Sequence, residues 1–522
     1  MRVALDIEVR DMEDLISVLT GGSVQFLAAL VFLYVLLKIF KRVRYTGGKR
    51  PPGPPSLPLI GHFHHLLFGM PHHSLAKIAE KYGPLVWLEL GAVNAVVVTS
   101  SDVAREVLKT QDHIFASRPP LIMAEMVFNK GQDLIFSPLN DNYRLARKIF
   151  TTELFSEKRI DSFKELRRQM TFRTLRTAFE EGHADRYINL ADLMRNQFLS
   201  LTTQMLFRTD GHAQNKELLE ISDELINAGW FVLEEFFPLL KPLDLSGQVR
   251  RLKKIGERYY ELMDSIIDNR LKENSNSKSN TEEDFLDVLL ATSNFSRLQV
   301  KVFLLDIIGA GNDTSSETIV WAITELLRHP NIMERLQIEL DDVIGKERLV
   351  EEADLNNLEY LQAVVKETLR LHPVFVLGVP HYSTEATKVA GYDVPANTRV
   401  ILNLYAIARD AKVWEDPVKF DPSRFLNSPV DVRGHHYEVL PFGAGRRKCM
   451  GMNLALVSVA YNIALLIHSC TISLPEGLTH LDVDVEEKFG VTVVRRNPLN
   501  LLIKRRLPLD VYRRAGLQFS DV

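Results

Sequence analysis

The sequence predicts a mainly α-helical fold with small β-sheets, built as one large domain behind an N-terminal transmembrane helix. Three observations carry this. Between Ser101 and Lys346 apolar residues recur at helical spacing, broken only by loops near Pro119–Pro120, Pro238–Pro242 and 273–284. The β-rich runs are short and confined to Leu85–Glu89, Ala95–Thr99, Lys388–Val389 and Arg399–Asn403. Residues 15–37 form an uncharged run of 23, long enough to cross a hydrocarbon core of about 30 Å.

The anchor is assigned to 1–44. Asp6, Glu8, Asp11, Glu13 and Asp14 precede the apolar run, the wrong sign for a cleaved signal peptide. Lys38, Lys41, Arg42 and Arg44 follow it, and such a basic flank holds the C-terminal side in the cytosol. Residues 45–61 hold Pro51, Pro52, Pro54 and Pro55, which fix φ and exclude helix, so a stiff proline-rich hinge is expected there. The remainder, 62–522, reads as one domain. It begins with helical spacing over His72–Lys81 and ends its helices with a long apolar one, roughly Met450–Ser469. The stretch 273–284, ENSNSKSNTEED, reads as a solvated loop.

Composition narrows the function. A chain of 522 residues, 46% hydrophobic, has the length of roughly two to four domains. No linker composition or repeat divides it. A net charge of −4 gives no electrostatic reason to expect nucleic acid as partner. Two cysteines, Cys449 and Cys470, are too few for a disulfide framework or a Cys-rich zinc module, and no histidine stands at ligand spacing from Cys449. A reducing compartment fits.

Chemistry concentrates in PFGAGRRKCMG, Pro441–Gly451, where Phe442, Gly445, Arg447, Cys449 and Gly451 stand at F-x-x-G-x-R-x-C-x-G spacing. Gly445 permits a tight turn with backbone close to a flat cofactor, and Gly451 lets the following helix approach it. Cys449 then lies at a helix N-terminus, where free N–H groups and the helix dipole favour thiolate over thiol. A thiolate on iron pushes electron density toward O–O cleavage. Cys470, with no such context, reads as a buried small hydrophobe.

A second signal is AGNDTS, Ala310–Ser315, inside an apolar, proline-free segment from Val300 to Leu327. Buried there, Asp313 needs a partner or water, since a lone carboxylate costs several kcal/mol, roughly. Thr314 can bond back to a carbonyl one turn earlier. An acid followed by a hydroxyl supplies a proton relay for reducing dioxygen; alone, the pair reads equally as a kink. Third, Glu367 and Arg370 stand at i and i+3 of LQAVVKETLRL, and Arg424 lies in FDPSRF. The three form a plausible structural ion-pair triad bracing the cysteine loop.

Taken in order, F-x-x-G-x-R-x-C-x-G, A-G-x-D-T-S, E-x-x-R and P-x-R-F, with the anchor and PPGPP, resemble the cytochromes P-450 across essentially residues 24–505. ELLRHP, RVILNLYAIARD and EEKFGVTVVRRNPL make the plant microsomal A-type group the nearest pattern. The resemblance implies the mainly α prism of that fold, haem b (iron protoporphyrin IX) on Cys449, and a monooxygenase of the endoplasmic reticulum membrane, single-pass, with a cytosolic catalytic domain. It places Arg447 on a haem propionate, with His381 where the family often has another partner. In W-x-x-x-R the arginine corresponds to Arg147, while the tryptophan position holds Tyr143. The glutamate of P-E-R-F is replaced by Ser423.

The chain has no G-x-G-x-x-G after a strand and no P-loop, hence no visible nicotinamide or flavin site. The family's electrons come from NADPH through a membrane-bound flavoprotein reductase, with cytochrome b5 as a further partner. Arg446, Lys448 and Lys148 form a candidate docking face, although a solvated charge run looks the same. Substrate contacts are expected after Phe115, near Asp306–Ala310, at Val374–Val379 and at Val491–Thr492, apolar enough for a lipophilic or aromatic molecule. Two rival readings stand beside the monooxygenase: an oxygen-independent haem-thiolate isomerase or dehydratase, which usually loses the threonine or stretches the cysteine loop, and a silent haem scaffold. Thr314 and the loop spacing are intact.

Overall fold

A computed structural model describes residues 48–517 apart from 68, 209–211, 229–231, 277–282 and 293. The anchor expected at 15–37 and its basic flank through Arg44 lie outside the described residues. The elements that position the site are α1 (Pro71–Tyr82), β1 (Leu85–Leu90), β2 (Val93–Val98), α2 (Asp141–Ile149), α3 (Leu190–Phe207), α4 (Gln248–Asn276), α5 (Arg297–Arg328), α6 (Glu359–Leu371), β3 (His381–Tyr382), β4 (Arg399–Leu402), α7 (Met452–Ser469), β5 (Glu487–Lys488) and β6 (Val494–Arg495).

The largest sheet runs β1-β2-β4-β3. β1 and β2 form a hairpin in register Leu85↔Val98, and β2 pairs in parallel with β4. Its strands read as unbroken apolar runs because both faces are covered. Leu85, Trp87, Val96 and Val98 enter one apolar cluster, whereas Val86, Leu88, Ala95 and Val97 enter another. Gly91 turns the hairpin at φ +58°, where a Cβ would stand 2.4 Å from the Phe236 carbonyl oxygen. The expected hinge is docked from residue 48 onward: Trp87 donates its backbone N–H to the Pro52 carbonyl at 2.9 Å, and the Arg50 guanidinium lies over the Trp87 ring.

α5 is the axis of the helical part, with 32 residues spanning about 48 Å at 1.5 Å per residue. Ser296 opens it with a capping box to Gln299. It packs on α3, α6 and α7, and is therefore apolar around most of its circumference. Gly309 and Ala310, half-way along this buried helix, are nonetheless exposed, so they line interior space. α7 is long and apolar enough to cross a bilayer, the one such helix among the described residues, and 72% of it is buried; it is a core helix. α4 runs through Asn276, four residues into the expected solvated loop, and that loop's last residue, Asp284, is buried and bonded to Arg270.

Candidate active site at the cysteine loop

The loop before α7 is held from three sides. At its base the Cys449 N–H donates to the Phe442 carbonyl at 2.9 Å, and the Phe442 ring packs on the main core. Asp112 accepts from the Arg446 backbone N–H at 3.2 Å and from its guanidinium at 3.0 Å. Gly445, at φ +66°, sits where a Cβ would be 2.4 Å from the Leu108 carbonyl and 2.9 Å from Asp112. A side chain at this position would thus meet protein backbone, and the positive φ is that of the expected tight turn. Gly451 has no such need: its nearest neighbours are Phe155 at 3.8 Å and Cys449 Sγ at 4.0 Å.

On the third side, α2 reaches across. Arg147 donates to the Lys448 carbonyl at 2.8 Å and to the Tyr143 hydroxyl at 3.2 Å. Tyr143 passes its own proton to the Arg446 carbonyl at 2.8 Å, and the Arg447 guanidinium lies 3.7 Å above its ring. Both residues thereby brace the loop directly. The triad braces elsewhere: Arg370 grips Glu367 at 2.7 and 2.8 Å, both fully buried, and Arg424 stands 3.4 Å from Glu367. Arg370 also donates to the carbonyls of Ala408, Pro417 and Lys419. It ties α6 to the segment 408–424, and only through that segment to the loop.

Gly451 caps α7, and the N–H groups of Gly451 and Met452 point at Cys449. Burial pushes the thiol up, and those N–H groups with Arg147 and Lys448 pull it down without cancelling the burial. Yet Cys449 is exposed. Exposed and desolvated together describe a side chain facing an internal cavity. A cation bound to the sulfur reverses the balance, since a coordinating thiol is deprotonated outright.

Beside the loop lies a close pair of cations, with Asp133 as a nearby opposite charge. Arg447 donates to the carbonyls of Ala116 at 2.7 Å, Leu134 at 3.2 Å and Ser137. Arg118, absent from the expected site, donates to Ile135 at 2.9 Å, Val379 at 2.7 Å and Pro380 at 2.9 Å. Neither forms an ion pair with a carboxylate among the described residues. Burial and the neighbouring Arg447 drive Arg118 down to about 9. His381, bonded through Nδ1 to the Phe115 carbonyl at 3.0 Å, is driven well below its ordinary value by burial and by the two arginines. The buried Arg118 and half-buried Arg447 guanidinium groups have Asp133 as a nearby negative charge but no carboxylate in contact among the described residues, and such incompletely paired cations favour an anionic partner. The two carboxylates of a protoporphyrin meet that need, so the residues present fit haem b.

The acid–hydroxyl pair on α5 is separate from this cluster. Asp313 Oδ1 accepts from Arg195 on α3 at 2.9 Å, and Oδ2 is buried with no partner. Arg195, also unforeseen, bonds Asp223, which is exposed by 42% at its side chain. Burial pushes Asp313 up against the pull of Arg195, and burial with Asp313 takes Glu317 to about 8. Thr314 donates to the Ala310 carbonyl at 2.6 Å, the back-bond expected of it. Leu134 ties the arginine cluster to α5: it donates its N–H to Asp306 at 2.7 Å and accepts from Arg447. Of the expected substrate contacts, Val376 and Leu377 are buried in the sheet's core, whereas Val379 and Val491 are half-buried at the edge of the main one.

A cysteine heading a core helix, turned to interior space beside two arginines that no carboxylate contacts among the described residues, defines a haem-thiolate oxidoreductase. The chain belongs to the cytochrome P-450 family: the family model described as "Cytochrome P450" matches residues 51–502. "Cytochrome P450 76C2" of Arabidopsis thaliana is 39% identical over 472 residues, 87% of this chain and 92% of that one. "Flavonoid 3',5'-hydroxylase" of Solanum melongena is 34% identical over 502 residues, covering 93% and 97%. A solved zebra fish cytochrome P450 with progesterone shares the fold at a TM-score of 0.71, with 24% identity, over 84% of this chain and all (100%) of that one. The protein is a haem-dependent monooxygenase of the plant specialised-metabolism kind.

Proposed function

We propose that the protein inserts one atom of dioxygen into a lipophilic or aromatic small molecule at the endoplasmic reticulum membrane, with electrons delivered from NADPH through a membrane-bound reductase and, as a second donor, cytochrome b5. The observation that carries the reading is the pairing of buried Arg118 with half-buried Arg447 beside the Cys449 loop, neither of them in an ion pair with a carboxylate among the described residues. Haem b, when bound, supplies the activation of dioxygen. Cys449 would hold its iron through the sulfur, whose negative charge the N–H groups of Gly451 and Met452 would share. Arg118 and Arg447 bind the two carboxylates, with His381 as a neutral donor.

Proton delivery falls to the chain. Asp313 Oδ2, buried with no partner, is the group that takes up and releases the proton, and Thr314 Oγ1 passes it on by exchanging its bond to the Ala310 carbonyl. Arg195 and Asp223 connect Asp313 to solvent. Lys148, Lys448 and Arg446, the last half-exposed while paired with Asp112, are the face offered to an acidic reductase. Membrane placement is supported by Leu239, Leu243 and Leu245, exposed by 92%, 63% and 64%, which suit burial at a lipid interface.

The test is a screen of plant lipophiles for substrate-induced spin shift on the full-length holoprotein, followed by turnover. Product that needs NADPH, reductase and dioxygen together is expected. Product formed equally well without dioxygen would return the chain to the isomerase or dehydratase reading.

A further inference from the structure

Far from the cysteine loop in sequence, three ligand-type side chains converge at the junction of α1 and β5. His72 Nε2 lies 2.8 Å from Glu487 Oε2 and His73 Nε2 lies 3.2 Å from the same oxygen. All three ligand atoms fall within 4.8 Å of one another. From these residues we propose a divalent transition-metal site of the zinc class, with two imidazoles and one carboxylate as ligands and water as the fourth.

The geometry suits zinc. Zn–N and Zn–O bonds near 2.0–2.1 Å set tetrahedral ligand–ligand edges of about 3.3 Å. Two of the three edges are already near that length, and only the His72–His73 edge must close. His72 is fully buried and His73 is 41% exposed, which gives a fixed wall and an entry path. Tyr405 packs on both rings, and Asn403 fixes the backbone by donating to the His72 carbonyl at 2.8 Å.

Two features limit the affinity. His72 Nδ1 is buried with no acceptor, and a missing outer partner of this kind typically lowers metal affinity about 10–100-fold. The Arg409 guanidinium stacks on Tyr405 and adds positive charge nearby. Micromolar binding is therefore expected. The consequence is mechanical: β5 pairs with β6, and the turn between them carries Val491 and Thr492, so a metal here pins that turn to α1.

The test is a zinc chloride titration of tag-free, full-length holoprotein, washed with chelator, against a competing colorimetric zinc indicator. The expected result is one zinc per haem, with affinity falling at least tenfold in His73→Ala and in Glu487→Gln, each keeping the carbon monoxide spectrum of the parent. His64→Ala, in the neighbouring histidine-rich turn, is expected to bind zinc as the parent does. No stoichiometric binding by the parent protein overturns the proposal, as does binding that survives both ligand variants or is lost in His64→Ala instead. Should Glu487→Gln fail to retain haem, the parent and His73→Ala decide.

Discussion

Arg118 offers the sharpest test of how the site is built, because local sequence gives no hint of it. Its fall from 12.5 to about 9 corresponds to about 5 kcal/mol against the cation. The charge persists at pH 7 because three backbone carbonyls hold the group and the nearby Asp133 favours the cation. An anion set between Arg118 and Arg447 relieves that penalty, and each charge-assisted hydrogen bond is worth about 1.5–3 kcal/mol. Arg118→Met should therefore speed haem loss about 10–150-fold, measured as transfer of haem to an excess of a scavenging apoglobin. Arg118→Lys, which keeps the charge without the planar fork, should fall between. A transfer rate within twofold of the parent for Arg118→Met would refute the assignment of this pair to the carboxylates of haem.

Thr314→Ala should uncouple NADPH consumption from product and release hydrogen peroxide, read from the ratio of the two; unchanged coupling returns Thr314 to its bond with Ala310. Glu367→Gln strands the fully buried Arg370 and should cost about 3–5 kcal/mol, seen as a lower denaturation midpoint and a smaller yield of haem-loaded protein. Glu325, held at about 2 despite burial by hydrogen bonds from His329 and His372, contributes stability that is complete above the ordinary carboxylate value and is lost as pH falls toward 2. The stability difference between the parent and Glu325→Gln should accordingly shrink on acidification from pH 5 to pH 3; a constant difference would show that the charge of Glu325 is not what stabilises.

Much of the fold was legible because its signals are local. Helical spacing placed α1 within one residue at each end, and proline punctuation stopped α6. The apolar strands of the main sheet were visible as runs, although only the structure explains why they do not alternate. The cysteine loop was legible as a motif, but the reasons for its residues were not. Gly445 answers to the Leu108 carbonyl, and Tyr143 to the Arg446 carbonyl. Arg118 and Arg195 escaped because their partners lie far away along the chain, at Val379 and Asp313. The same holds for His72, His73 and Glu487, whose ligand spacing exists only in three dimensions. The docking of the proline-rich segment was hidden for a related reason: proline fixes φ but says nothing of what the segment packs against, here β1.

The account rests on the sulfur of Cys449, and the carbon monoxide difference spectrum of the reduced protein tests it most directly. The strongly red-shifted Soret band of thiolate ligation is expected in the parent and should vanish in Cys449→Ser. A band at the position given by a nitrogen ligand in freshly prepared parent protein, or a red-shifted band that survives in Cys449→Ser, would contradict it.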